Sequence, residues 1–161
     1  MKKIIFLFVF LAFIACQEDR SQKNTANENP SISVITKDMG CENCRMNLKR
    51  FIETSHAIQT TDGINHYYCS INCCTSAWSR NNYSNALVFG VDQKSVEYTP
   101  VENLYYVIGS KLPAVMSKVS KYAFKDSAVA LQFKMEQEGD RIISYKKTFK
   151  MCEDELAKKM M

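Results

Sequence analysis

The chain has 161 residues, 46% of them apolar, enough for one domain of ordinary size or two very small ones, and disorder of the whole chain is excluded. Lys and Arg number 21 against 17 Asp and Glu, a net charge of only +4 with no long basic run, so the electrostatic footprint of a nucleic-acid binder is missing. The informative excess is sulfur: seven Cys and eight Met, and an odd cysteine count rules out complete pairing within the chain.

Residues 1–15 read as a secretory signal peptide, with Lys2 and Lys3 ahead of an uncharged apolar run from Ile4 to Ala15 that stops at Cys16. That run is shorter than the ~20 residues a helix needs to cross a bilayer. Ala15-Cys16 resembles a bacterial lipobox, with Phe13 where Leu is more usual. Such a Cys receives a diacylglycerol, so Cys16 is the expected lipidation site and the contact with membrane lipid; ordinary cleavage leaving a spare thiol is the other reading. Loss of the leader lowers the net charge to about +2. Residues 16–30 are polar after the cysteine and too poor in apolar side chains to order themselves, so they form a flexible tether with a reach of roughly 20 Å.

From Ser31, the alternation of Ile32, Val34 and Thr36 with polar neighbours suggests a strand, broken by Asp38-Met39-Gly40 just before Cys41. Asn47 to Ile58 fits either a helix or a strand, and Thr60-Thr61-Asp62-Gly63 is a turn. His66-Tyr67-Tyr68 favours a strand closed by Cys69. Ser70 caps a helix over Ile71 to Arg80, and Asn81 to Asn85 ends that unit. Ala86 to Val91 and Leu104 to Ile108 read as buried strands around a short Glu97 to Asn103 segment. Lys111 to Tyr122 carries no clear pattern. Asp126 caps a helix to about Glu138 that Gly139 ends, Arg141 to Tyr145 suits a last strand, and residues 147–161 form a charged amphipathic helix of doubtful order. Strands precede helices in both halves. The expected class is α+β, two small ββα-type modules packed together, the first treble-clef-like, with a folded part over residues 31–146 divided near residues 85 and 86.

The sulfur pattern is Cys41-Glu-Asn-Cys44-Arg-Met46 followed by Cys69-Ser-Ile-Asn-Cys73-Cys74. A Cys-x-x-Cys turn sets two sulfurs on one side of a tight loop, and a strand-end Cys with another in the first helical turn supplies a second pair, so a tetrahedral thiolate cage for Zn²⁺ is within reach. Met46 raises Cu(I) above zinc, because a thioether is a soft ligand that zinc seldom uses. Met116 lies in a loop of the second half and could complete the site; Met39 is a weaker thioether candidate, and the competing reading of Met46 and Met116 is core filling. Two structural disulfides among Cys41, Cys44, Cys69 and Cys73 are a competing reading for an exported chain, and redox exchange at the Cys-x-x-Cys pair is another, although its usual βαβ setting is missing. Cys74 reads as a packing residue or a spare ligand, Cys152 as a residue with no metal role, and His56 and His66 as borderline ligands. No Ser/His/Asp set, paired carboxylates, phosphate-binding glycine loop or His-x-x-x-His pair occurs, so the expectation is a protein that is not an enzyme.

These residues carry a resemblance over nearly all of the mature chain. Cys41 to Met46 resembles the Cys-x-x-Cys-Gly-Met opening of the NosL family, lipoproteins that act as copper chaperones for nitrous oxide reductase. Gly63 with His66-Tyr-Tyr-Cys69-Ser70 and Cys73 is similar to the Gly..Tyr-Phe-Cys-Ser stretch shared with TRASH-type heavy-metal domains. Asn103 to Ser110 resembles the family's Ala-x-Tyr-Val-x-Gly-Ser strand, Met116 falls where its Gly-Pro-Met loop lies, and Ala123-Phe124 with Ala128 to Phe133 matches its later helix. Arg45 replaces the usual Gly, and Pro113-Ala-Val-Met116 replaces Gly-Pro-Met. The resemblance implies a Cu(I) site in which Met46 and Met116 are the thioethers and Cys41 and Cys44 the thiolates, with Cys69 and Cys73 joining them or holding the fold. It also implies an exported, membrane-anchored lipoprotein, facing the periplasm or the cell surface and expected on the outer membrane. Its partners would be a copper-enzyme maturation or transport complex and the client enzyme. The alternative is a zinc-ribbon or disulfide-stapled heavy-metal-binding lipoprotein.

Overall fold

The computed structural model describes residues 29–160; the signal segment, Cys16 and nearly all of the tether lie outside the described residues. Seven strands form one mixed sheet: β1 (His56–Gln59), β2 (Asn65–Tyr68), β3 (Leu87–Asp92), β4 (Glu97–Pro100), β5 (Tyr105–Ile108), β6 (Lys121–Phe124) and β7 (Arg141–Ser144). Three helices accompany them: α1 (Ile71–Arg80), α2 (Ser127–Glu136) and α3 (Tyr145–Met160). The α+β class is the observed one. Strand order is β2-β1-β3-β6-β5-β7, with β4 also paired to β3. Every neighbouring pair is antiparallel except β3 and β6, joined in parallel at Asp92↔Ala123. β3 follows the division expected near residue 85, yet it pairs with β1 from His56↔Gly90 to Gln59↔Leu87, so the sheet crosses that division.

Local chemistry accounts for most element ends. The β1–β2 turn closes at Gly63, whose φ of +82° is open to glycine at no steric cost. Ser70 caps α1 by accepting from Cys73 N at 3.3 Å, and the carboxylate of Asp126 caps α2 by accepting from Ala128 N and Val129 N at 2.7 and 3.1 Å. Gly90 is required by crowding: a Cβ there would stand 2.9 Å from Leu104 Cδ1, 3.0 Å from His56 Nε2 and 3.1 Å from the Tyr106 hydroxyl.

Four features depart from the sequence expectations. Ile32–Val34 is a 3₁₀ turn rather than part of a strand, because the Ser31 hydroxyl accepts from Ser33 N at 3.2 Å and tightens the backbone locally. The ambiguous Asn47 to Ile58 stretch divides, with a kinked 3₁₀ segment over Lys49–Thr54 and strand β1 after it. Strand β6 occupies part of the stretch without a clear pattern. α3 is packed rather than frayed: Thr148 and Cys152, four residues apart, are both fully buried.

The core has three clusters. One gathers Cys41, Cys69, Cys73 and Cys74 with Leu48, Ile58 and Phe89; a second joins Ile71, Leu104, Tyr106 and Cys152; a third sits under α2 around Val107, Phe124 and Ala130. Among the described residues, no helix is long and apolar enough to cross a membrane.

Candidate metal centre

The first cysteine pair sits on a knuckle held by its own backbone. Cys41 N donates to Met46 O at 2.8 Å, Arg45 N donates to Cys41 O at 2.8 Å, and Gly40 bridges Asn47. Arg45 takes the left-handed conformation, φ +66°, that lets the chain reverse directly after Cys44. Glu42 docks this knuckle on β2: its N–H donates to Tyr67 O at 3.1 Å, and its carboxylate accepts from Tyr67 N at 3.1 Å and from His66 Nδ1 at 2.8 Å. That charge-assisted contact with Glu42 holds the imidazole of His66 above its usual pKa.

The second pair comes from the β2–α1 junction. Cys69 ends the strand, where its carbonyl accepts from Thr54 Oγ1 at 2.8 Å, and Cys73 sits in the first turn of α1 behind the Ser70 cap. The two segments converge. The Sγ atoms of Cys41, Cys44, Cys69 and Cys73 all lie within 4.8 Å of one another, with Cys44 to Cys69 at 3.5 Å and Cys69 to Cys73 at 3.7 Å. Four thiolates bonded tetrahedrally to one ion at about 2.3 Å stand roughly 3.8 Å apart, whereas a disulfide needs about 2.05 Å. The separations are those of a metal cage, and the six described cysteines are free thiols.

Three of the sulfur-bearing residues are closed off: Cys41, Cys69 and Cys73 expose no more than 1% of their surface. Cys44 is half-buried and forms the open corner. Hydrogen bonds from Cys69 and Cys73 hold Cys41 well below the ordinary thiol pKa. Cys41 in turn raises Cys69 strongly and, against the opposing hydrogen bond from Cys69, Cys73 to about 12. An ion held by all four sulfurs would displace the protons of the thiols whose pKa is raised.

The methionines are less closely integrated. Met46 follows the knuckle and, like Met39, packs partly buried against the cysteine cluster. Met116 is 40% exposed at φ +58°, and it is the preceding Val115 that packs against that cluster. Neither histidine belongs to the cage. His56 is buried, donating from Nδ1 to Thr54 O at 3.0 Å and accepting at Nε2 from the Tyr106 hydroxyl at 2.8 Å; burial lowers its pKa to about 4. His66 is committed to Glu42.

Cys74 is a fully buried packing residue, and burial drives its thiol well above the ordinary range. Cys152 lies in the core and donates to Asn72 Oδ1 at 3.3 Å. Asn72, Lys121 and Glu155, which tie α3 to the start of α1, drew no attention in the sequence. The Tyr145, Thr148, Cys152, Glu155 stripe at three- and four-residue spacing is the signal that points to them.

The family model of NosL matches residues 32–150, well over half of the chain and spanning all four cage cysteines. The chain belongs to the NosL family. The fold is also that of the copper chaperone NosL from Shewanella denitrificans, whose crystal structure aligns with a TM-score of 0.56 at 17% identity, covering 70% of this chain and 90% of that one. No curated protein sequence matches the chain. Arg45, and Met116 at the end of the altered loop, both occupy positive φ.

Proposed function

We propose that this NosL-family chain is a membrane-anchored Cu(I) metallochaperone, held by lipid at Cys16, that delivers copper to a maturing copper enzyme, with nitrous oxide reductase as the client. The observation that carries the reading is the convergence of four sulfurs of which one, Cys44, reaches the surface. Thiolate is a soft donor that suits Cu(I) as well as zinc, the Met46 thioether beside the knuckle favours Cu(I), and a closed apolar wall around three sulfurs with one open corner suits an ion that must leave as well as enter.

In the proposed mechanism Cu(I) is cargo and keeps its oxidation state. A donor on the partner, thiolate, thioether or imidazole, joins the ion at the Cys44 corner; the Cys44–metal bond breaks as the new bond forms, and the remaining sulfurs follow in turn. No bond of an organic substrate is broken. Met46 beside the knuckle and Met116 beyond Val115 are the proposed thioethers of the transfer step. The low net charge offers no long-range steering, so encounter relies on membrane proximity and local contact.

A second reading, a structural zinc site, draws on a specific observation: three of four cysteines are almost fully closed, as in Cys₄ zinc sites. Titration of the reduced chain with Cu(I) and Zn²⁺ against competing chelators separates the two. Far tighter retention of Cu(I), with ready transfer to an added acceptor, is expected; equal or better zinc retention without exchange would overturn the chaperone reading.

A further inference from the structure

Helix α3 supplies none of the four cage sulfurs, yet it is tied to the helical turn that carries one of them. That turn belongs to two core clusters at once, since Ile71 packs with Leu104, Tyr106 and Cys152 while Cys73 packs with Cys41, Cys69 and Leu48. Asn72 lies between them, 3% exposed. Its Nδ2 donates to Glu155 Oε2 at 2.8 Å, and its Oδ1 accepts from Cys152 Sγ at 3.3 Å. Both partners are on α3. Glu155 is itself fixed from β6, where Lys121 Nζ donates to Oε1 at 3.0 Å and Oε2 at 3.2 Å, and also to Val119 O at 3.2 Å.

This chain of contacts does more than hold two helices together. The Lys121 side chain is 2% exposed, and its ammonium is directed at both Glu155 oxygens and one backbone carbonyl. The Glu155 side chain is 24% exposed, but both its oxygens accept from the buried Lys121 ammonium, which fixes where its carboxylate sits beside α1. The Ser70 cap, by contrast, lies at the start of α1 and moves with Cys73. A sulfur about 5 Å from a helix axis is displaced by ~0.9 Å when the helix rolls by about 10°. Metal–ligand distances tolerate only about 0.2 Å. Apolar contacts of α1, Ile71 in the second cluster and Trp78 edge-on to Phe149 of α3, hold the helix in place but are not directional, whereas the hydrogen bonds of Asn72 act at the turn that carries Cys73.

We propose that Asn72, anchored by Glu155 and Cys152 of α3, is a positioning residue that sets the Cys73 sulfur in the cage, an inference that rests on the cage being the metal site. The C-terminal helix is then part of the metal centre's support, and its docking is coupled to metal binding although it contributes no ligand.

The test uses the purified, reduced full chain and its Asn72→Ala, Asn72→Asp and Phe133→Ala variants. Asn72→Ala leaves the Lys121–Glu155 pair intact. Asn72→Asp keeps the side-chain volume and suits the helix N-terminus but meets Glu155 with like charge. Phe133→Ala destabilises the distant cluster under α2. Cu(I) affinity against a chelator and the Co(II) ligand-field spectrum are read beside Tm and the alkylation rate of Cys73 in the metal-free chain. Both Asn72 variants are expected to lose about tenfold in Cu(I) affinity and to shift the Co(II) bands. Both should also label Cys73 several times faster, while Phe133→Ala lowers Tm with affinity and spectrum unchanged. Wild-type affinity, spectrum and labelling in the Asn72 variants, or an affinity loss in Phe133→Ala that follows its Tm, would overturn the proposal. Faster Cys73 labelling in the variants of a chain that binds neither Cu(I) nor Co(II) would uphold the positioning of Cys73 and remove the metal reading instead.

Discussion

The cage region and the α2 region rest on the same sheet but are held in different ways. Around the cage, short strands and 3₁₀ turns are joined by directed polar contacts: Glu42 to Tyr67 and His66, Thr54 to Cys69, and Asn72 to Glu155. Under α2, rings do the packing, with Phe133 centred 4.7 Å from Phe124 and 5.7 Å from Tyr122, and no cysteine takes part in that cluster. One region depends on the protonation and ligation state of its sulfurs. The other is indifferent to both. Affinity and global stability should therefore separate cleanly by region.

The largest expected effect lies in the indifferent region. Phe124→Ala empties a buried aromatic site and should cost about 4 kcal/mol of stability by chemical denaturation, with Cu(I) affinity unchanged in the folded fraction. A parallel loss of affinity would break the separation. Next comes the seam between the regions, where His56 of β1 accepts from Tyr106 of β5. Burial depresses the His56 pKa from 6.5 to about 4, so it is neutral in the fold but protonates in the unfolded chain. Its stabilisation is fully present above pH 6.5 and is lost as the pH falls toward 4, on the order of 3 kcal/mol in all. Denaturation curves across that range should flatten in His56→Gln relative to the wild type. An unchanged slope would remove His56 as the seam's acid-sensitive group.

Within the cage, Cys73→Ser should weaken Cu(I) binding roughly a hundredfold, since each of four ligands carries about 3 kcal/mol of a soft-metal site. Cys44→Ser at the open corner should cost less, about tenfold, while slowing transfer to an acceptor more than Cys73→Ser does. Equal effects at Cys44 and Cys73 in both assays would show that the exposure difference has no part in transfer.

Legibility followed the range of the forces involved. The limits of α1 were readable because Ser70 is a cap and Asn81 a stop, and α2 because Asp126 caps it; each signal acts within a few residues. The cysteine spacing told which sulfurs would meet. Strand β6 was hidden because it opens with Lys121, a residue depleted in strands and seldom buried, whose partner Glu155 is 34 positions away. The alternation of Ile32 and Val34 reads as a strand, but alternation does not register the Ser31 hydroxyl that tightens this stretch into a 3₁₀ turn. Asn72 looked like any polar residue in a first helical turn; only the packing of α3 gives it a role.

The contacts around the cage differ widely in sequence separation. Cys44 and Cys69 are 25 residues apart, whereas Asn72 and Glu155 are 83 apart. Closing the longer loop costs about 1 kcal/mol more chain entropy, and non-local contacts form late in folding. The contact between Asn72 and Glu155 therefore carries the larger closure cost, and a mutation that loosens α3 removes it while leaving the shorter loop between Cys44 and Cys69 unchanged.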